Sequence, residues 1–211
     1  FCLEPDQPDT SEVDKLLNIK LHDFGGRGTE CWESSGIGGA AHLSSGSTGS
    51  DTCVGIKFAN KYYNCKMSAK SIPASEHGTI TPWGKDHEID AYRNMIKQFG
   101  KPGAVFACVS DSYNIFDACK MWSHELKDEV IKSGAYIVIR PDSGPLPETP
   151  IKCLQILSQN FGYTLNKKGF KIINNVGIIQ GDGMNISSLN DLCHECVIIY
   201  HFSLDNISIG M

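Results

Sequence analysis

No segment of this chain is apolar for long enough to cross a bilayer. Runs such as Val197–Tyr200 fall far short of the roughly 20 residues that a spanning helix needs. A basic excess is missing too. Nineteen Lys and Arg stand against 24 Asp and Glu, a net charge of −5. Nucleic acid and membrane are therefore not expected partners, since both are gripped by basic surface. No charged-then-apolar leader opens the chain, which starts at Phe1 with the polar, proline-bearing "FCLEPDQPDT". It starts without Met and stops at "LDNISIGM", just after a strand-like run. The expectation is a central piece of a longer protein.

Other absences concern chemistry. The nine cysteines are odd in number and scattered through apolar segments, which does not suit a disulfide framework and fits a reducing, cytoplasmic setting. Cys193-His194-Glu195-Cys196 is a lone CxxC without the second pair that a zinc site usually needs. His87-Glu88 opens like HExxH, but no second histidine sits four residues on. His42, His124, His194 and His201 have no partner by spacing, and Trp32, Trp83 and Trp122 are expected in packing roles. No low-complexity linker or repeat divides the 211 residues, of which 41% are hydrophobic and 20% charged. A chain of this length hides roughly 70% of its unfolded surface.

What is present is alternation. Short apolar runs rich in β-branched residues are expected as strands at Asn18–Leu21, Cys53–Ile56, Ala104–Val109, Ala135–Ile139, Val176–Ile179 and Ile207–Ile209, with a weaker one at Ser71–Pro73. Helical spacing recurs between them. Asp86 is the expected N-cap of a helix through Ile89, Tyr92, Ile96 and Phe99, stopped by Gly100. A second pattern runs from Ile115 through Trp122 to Val130 and ends near Gly134; a third spans Ile151–Phe161 before Gly162. Ser44–Thr52 reads as a Gly/Ser-rich loop. Strands alternating with helices predict βαβ units and a parallel sheet.

The polar residues fall just after the strands, in "HDFGGRG" (His22–Gly28), Ser110-Asp111-Ser112, "RPDSG" (Arg140–Gly144) and "QGDG" (Gln180–Gly183). Parallel β/α folds build their sites at those ends. Arginine beside glycine suits phosphate, because guanidinium forks and close backbone N–H groups both bind anions. Strand-end aspartates suit ribose hydroxyls or magnesium. Some of the Ser and Asp residues would equally serve as helix caps. In "SIPASEHGTIT" (Ser71–Thr81), His77 follows Glu76. A loop histidine is often structural, but one with a carboxylate to fix its tautomer can take up a phosphoryl group. Glu76 or a strand-end Asp could be that carboxylate.

"KLHDFGGRG", "GIGGAAHL", "GSDT", "SIPASEHGTITPWGKDHE", "VSDSYNIFDAC", "VIRPDSG" and "IIQGDG" follow one another in the order seen in the nicotinamide phosphoribosyltransferase family. The resemblance is strongest from Lys20 to about Met184. It implies an α/β fold, an irregular and incomplete (β/α) barrel of mostly parallel strands of the type II phosphoribosyltransferase kind. Residues 1–211 would be part of a single barrel domain that lacks the N-terminal region and the C-terminal part of the family's chain. The implied reaction joins nicotinamide to phosphoribosyl pyrophosphate, giving nicotinamide mononucleotide and pyrophosphate. Mg2+ is the implied cofactor, ATP the co-substrate and a homodimer the implied assembly.

By motif position His77 resembles the histidine that is phosphorylated, with Asp111 and Glu76 beside it. Phe24 resembles the aromatic that stacks on nicotinamide, and Arg27 and Arg140 the arginines near ring and phosphates. Asp51 resembles the acceptor of the substrate amide, which would favour nicotinamide over nicotinic acid. Asp142 resembles a ribose contact, and Gly181 and Asp182 a nucleotide-contacting turn. Gly26 departs from a bulky aromatic and Gly78 from a hydroxyl residue, which removes one phosphoryl donor. A fragment without the family's flanking regions is expected to be inactive by itself. The rival readings are a nicotinate phosphoribosyltransferase, a barrel metallohydrolase using His22, Asp23, His77 and Asp111, and a nucleotide-binding module without catalysis.

Overall fold

The computed structural model describes residues 20–66 and 69–211. In chain order the elements are β1 (Leu21–Asp23), a 3-10 turn (Gly25–Gly28), α1 (Trp32–Ser44), β2 (Gly49–Ser50) and α2 (Cys53–Tyr63). Then come α3 (His77–Ile80), α4 (Glu88–Phe99), β3 (Val105–Val109), α5 (Ile115–Ser123), α6 (Lys127–Ser133), β4 (Tyr136–Arg140) and α7 (Glu148–Phe161). Last are β5 (Tyr163–Leu165), β6 (Lys171–Ile173), β7 (Val176–Gln180), α8 (Ile186–His194) and β8 (Ile207–Gly210).

The chain divides into two compact units. The smaller holds the described residues up to Ser71 together with Ser208–Met211; the larger is Ile72–Ile207. In the smaller, β1 pairs in parallel with β2 (His22 opposite Gly49) and with β8 (Leu21 opposite Ile209). In the larger, β4 lies between β3 and β7, again parallel, with Val109 opposite Arg140 and Ile139 opposite Ile178. The β5–β6 pair is antiparallel. Apart from that pair, both units are parallel strands with helical crossovers, the α/β class expected of an incomplete (β/α) barrel. No helix among the described residues is long and apolar enough to cross a membrane.

The larger unit is organised by its strands. β4 and β7 are apolar on both faces, and Ile137, Ile139, Val176 and Ile178 are at most 1% exposed, as sheets covered on both sides require. Ala91, Tyr92, Met95 and Ile96 give α4 its buried stripe. Tyr92 stacks on Trp122 with ring centroids 4.8 Å apart. Both polar tips are satisfied, Tyr92 by Glu88 Oε1 at 2.7 Å and Trp122 by Ser110 Oγ at 3.1 Å.

Several expectations need correction. The run Cys53–Ile56 is the first turn of α2 and not a strand; Gly55 and Ala59, four apart, are its buried face. The short strand lies instead at Gly49–Ser50, inside the expected loop. Glycine is needed there because a Cβ on Gly49 would sit 2.5 Å from the His22 ring. The first strand begins at Leu21 and includes His22 and Asp23; Asn18 and Ile19 lie outside the described residues. Asp86 is in a 3-10 turn, and the helix begins at Glu88. The pattern Ile115–Val130 is two helices, because Ser123 bonds back to the Cys119 carbonyl at 2.7 Å and the chain turns at His124 before Leu126 tucks into the core. Ser71–Pro73 is no strand of its own, though Pro73 accepts from the Ala107 N–H at 2.9 Å. Trp122 is fully buried, but Trp32 and Trp83 are 55% and 42% exposed, so packing does not account for those two. Trp32 lies under the Lys57 ammonium, 5.0 Å from the ring centre.

Candidate functional site

In the smaller unit the site residues gather where β1 and β2 end. Phe24 directly follows β1. Its N–H donates to the Met211 carbonyl at 2.7 Å, and its ring lies where a Cβ on Gly210 would stand. The chain turns at once through Gly25–Gly28, where Asp23 Oδ1 accepts from the Gly25 N–H at 2.9 Å and Arg27 is exposed. Asp51 follows β2, tied by its N–H to the Asp23 carbonyl at 3.1 Å. Its Oδ1 accepts from the Ser71 hydroxyl at 2.6 Å.

A cavity of about 230 Å³ opens here, lined by His22, Asp23, Gly26, Ser35, Gly39 and His42 among others. His42 Nε2 donates to the Gly49 carbonyl at 2.8 Å; a carbonyl only accepts, so that nitrogen carries the proton. Burial pushes the His22 pKa below its ordinary value, against the pull of Asp51, and keeps the ring neutral. A Cβ on Gly26 would meet the Thr52 and Ser35 hydroxyls at 3.0 and 3.1 Å. Glycine here therefore lets the turn sit close to α1.

In the larger unit the register of β3 and β4 does the positioning. Val109 faces Arg140, and the Ser110 N–H donates to the Arg140 carbonyl at 3.0 Å, so the two turns that follow lie side by side. His77 Nε2 meets Asp111 Oδ1 at 2.9 Å, with the Asp111 side chain 5% exposed. The other Asp111 oxygen accepts from the Ser143 hydroxyl at 2.5 Å. Of the two carboxylates that could serve His77, Asp111 is the one in contact. Glu76 turns to Arg140, which donates to it at 3.0 and 3.4 Å and to Asp142 at 2.7 and 3.1 Å. Burial alone would lower the Arg140 pKa, but the bonds to Asp142 and Glu76 raise it above the ordinary value, so the cation is permanent.

At the end of β7, Gln180 is fully buried and its Nε2 donates to the Asp182 carbonyl at 2.9 Å, fixing Gly181 and Asp182 in their turn. Its Oε1 has no hydrogen-bond partner among the described residues. No three His, Cys, Asp or Glu side chains converge as metal ligands among the described residues. Cys108 is a buried thiol pushed up to about 12.

The family model for the nicotinate phosphoribosyltransferase (NAPRTase) family matches residues 19–211. The chain belongs to this family. A nicotinamide phosphoribosyltransferase of Xanthomonas campestris pv. campestris (strain 8004) is 44% identical over 206 residues, covering 97% of this chain and 44% of the relative. Those of Mycoplasma pneumoniae and Mycoplasma genitalium are 31% and 27% identical, covering 92% and 99% of this chain and 44% and 46% of theirs. The chain thus spans under half the length of these curated relatives.

Ser71, Ser143 and Gln180 stand inside the quoted motifs, yet sequence reading assigned them no role. Ser143 stands between Asp142 and Gly144 in "RPDSG", a signal that was available. For Ser71 there was none, because its reach to Asp51 depends on how the chain folds back.

Proposed function

We propose that the protein carrying this chain transfers the phosphoribosyl group of phosphoribosyl pyrophosphate to nicotinamide. The products are nicotinamide mononucleotide and pyrophosphate, in NAD salvage. ATP hydrolysis is coupled through phosphorylation of His77. The observation that carries this reading is the His77–Asp111 pair. A carboxylate on Nε2 holds the proton there and leaves Nδ1 with its lone pair. That nitrogen attacks the γ-phosphorus of ATP, the bond to the β-phosphate oxygen breaks, and ADP leaves. Asp111 offsets the positive charge that grows on the ring.

Phe24 would stack on the nicotinamide ring. Asp51, one oxygen already held by Ser71, would use the other to accept from the carboxamide N–H2, and its charge would repel the carboxylate of nicotinic acid. Arg27, exposed on its glycine turn, suits a phosphate. Arg140 and Asp142 form one rigid pair that suits ribose and phosphate contacts, next to the turn of Gly181 and Asp182. Exposed Asp182 has the chemistry of a magnesium ligand, since Mg2+ takes one or two carboxylates and completes its shell with phosphate oxygens and water. Bound magnesium would offset the charge of the leaving pyrophosphate. A cytoplasmic homodimer belongs to the same reading; Cys31, Cys53, Cys65, Cys108, Cys119 and Cys153 form no disulfide among the described residues, in keeping with a reducing compartment.

The test is turnover of nicotinamide against nicotinic acid by the full-length protein, with γ-labelled ATP to trap phosphohistidine. Nicotinamide is expected to dominate, and a His77→Gln variant to take up no label. Dominant nicotinic acid turnover would make the protein a nicotinate phosphoribosyltransferase. Label that survives His77→Gln would remove the assigned acceptor.

A further inference from the structure

We infer that Ser143 is a positioning residue for His77, acting through Asp111. The inference rests on reading His77 as the phosphoryl acceptor. Asp111 has two carboxylate oxygens, and the structure gives each one a partner: Oδ1 takes His77 Nε2 at 2.9 Å and Oδ2 takes the Ser143 hydroxyl at 2.5 Å. A carboxylate held by one oxygen can swing about its side-chain torsions. One held by both presents a fixed direction to the imidazole.

The hydroxyl itself is well anchored. It lies three residues past the end of β4, beside Asp142, whose carboxylate is clamped by Arg140 at 2.7 and 3.1 Å. The next residue, Gly144, has φ +98°, and a Cβ there would stand 2.5 Å from Thr149 Oγ1. This tight turn demands glycine and fixes where Ser143 points. The parallel register of β3 and β4, with Val109 opposite Arg140, then sets the turn against Asp111. Ser143, Asp111 and His77 form a chain of hydrogen bonds that ends at a ring nitrogen. The helix turn that carries His77 is only four residues long, so little else on its own element holds the ring's orientation. The Ser143 hydroxyl reaches Asp111 and not the imidazole; its effect is to keep Nε2 protonated and Nδ1 open.

The experiment uses the full-length protein as wild type, Ser143→Ala and Ser143→Thr. Nitrogen-15 NMR without ATP reads the His77 tautomer, assigned by its loss in His77→Gln. The rate and ATP dependence of labelling from γ-labelled ATP are measured alongside. Wild type is expected to show one tautomer, with the proton on Nε2. Ser143→Ala is expected to show a mixture and to label on the order of tenfold more slowly, as loss of a charge-assisted hydrogen bond implies, at an unchanged half-saturating ATP concentration. Ser143→Thr, which keeps the hydroxyl, should restore both. A wild-type tautomer and rate in Ser143→Ala would overturn the inference, as would a Ser143→Thr variant as defective as Ser143→Ala. A tautomer mixture in the wild type would overturn it too. Absence of label in the wild type, with the tautomer still dependent on Ser143, would sink the phosphoryl-acceptor reading and leave the positioning role standing.

Discussion

Gly78 follows His77 inside a helical turn, and a Cβ placed on it meets no atom within 4 Å. The backbone there has no need of glycine. A hydroxyl at this point would add a donor for phosphoryl oxygens beside His77, the proposed acceptor, at no steric cost. Gly78→Ser is therefore expected to raise the yield of trapped phosphohistidine by about threefold; an equal yield would show that the missing hydroxyl does not limit ATP coupling. Asp51 offers the matching test of substrate choice. Asp51→Asn keeps the shape and an acceptor for Ser71 but removes the charge proposed to repel a carboxylate. The preference for nicotinamide over nicotinic acid, measured as a ratio of kcat/KM, is expected to fall on the order of tenfold. An unchanged ratio would mean that another group reads the amide.

The packing of α1 on α2 turns on glycines that look alike in sequence and differ in place. In "GIGGAA", a Cβ on Gly39 would come within 2.8 Å of the Gly55 Cα, whereas one on Gly38 meets nothing within 4 Å. The two helices touch backbone to backbone at Gly39 and Gly55. Gly39→Ala must push them apart and is expected to lower stability by about 1–3 kcal/mol. Gly38→Ala fills open space and reduces the freedom of the unfolded chain, so it is expected to raise stability by about 0.5–1 kcal/mol. Urea unfolding of the two variants reads both; equal signs would refute the backbone contact. The same helices show where sequence reading runs out. Long, strongly periodic elements such as α4 and α7 and the doubly buried strands β3, β4 and β7 were legible, because burial imposes a pattern over many residues. The start of α2 was not. Cys53, Val54 and Ile56 resemble a strand over four residues, and only the contact of Gly55 with Gly39, far off in sequence, decides for a helix.

At the scale of the whole molecule, the turns that follow neighbouring strands of the larger unit lie together because a parallel register makes their ends coincide. Val109 opposite Arg140 was enough to bring Asp111 beside the "RPDSG" turn. The pairing of acids and bases within the site was not legible: nothing in the order of residues says that Arg140 takes Glu76 and Asp142 and leaves Asp111 to His77. Nor does it reveal Glu88, which looks like a solvated first-turn residue and is 2% exposed. Burial raises its pKa above the ordinary 4.5, and nearby Asp111 and Asp117 add to the rise against the Tyr92 hydrogen bond and Lys85. Below the unfolded value both states hold the proton, and the contribution of Glu88 is fully present. As pH rises, the unfolded chain releases its proton first, so the contribution is lost through the raised folded value. Glu88→Gln keeps an oxygen for the Tyr92 hydroxyl and cannot ionise. Relative to wild type, this variant is expected to gain stability as pH rises above the ordinary carboxyl value of 4.5, as measured by urea unfolding at each pH. A difference independent of pH over that range would show that Glu88 titrates alike in the folded and unfolded chain.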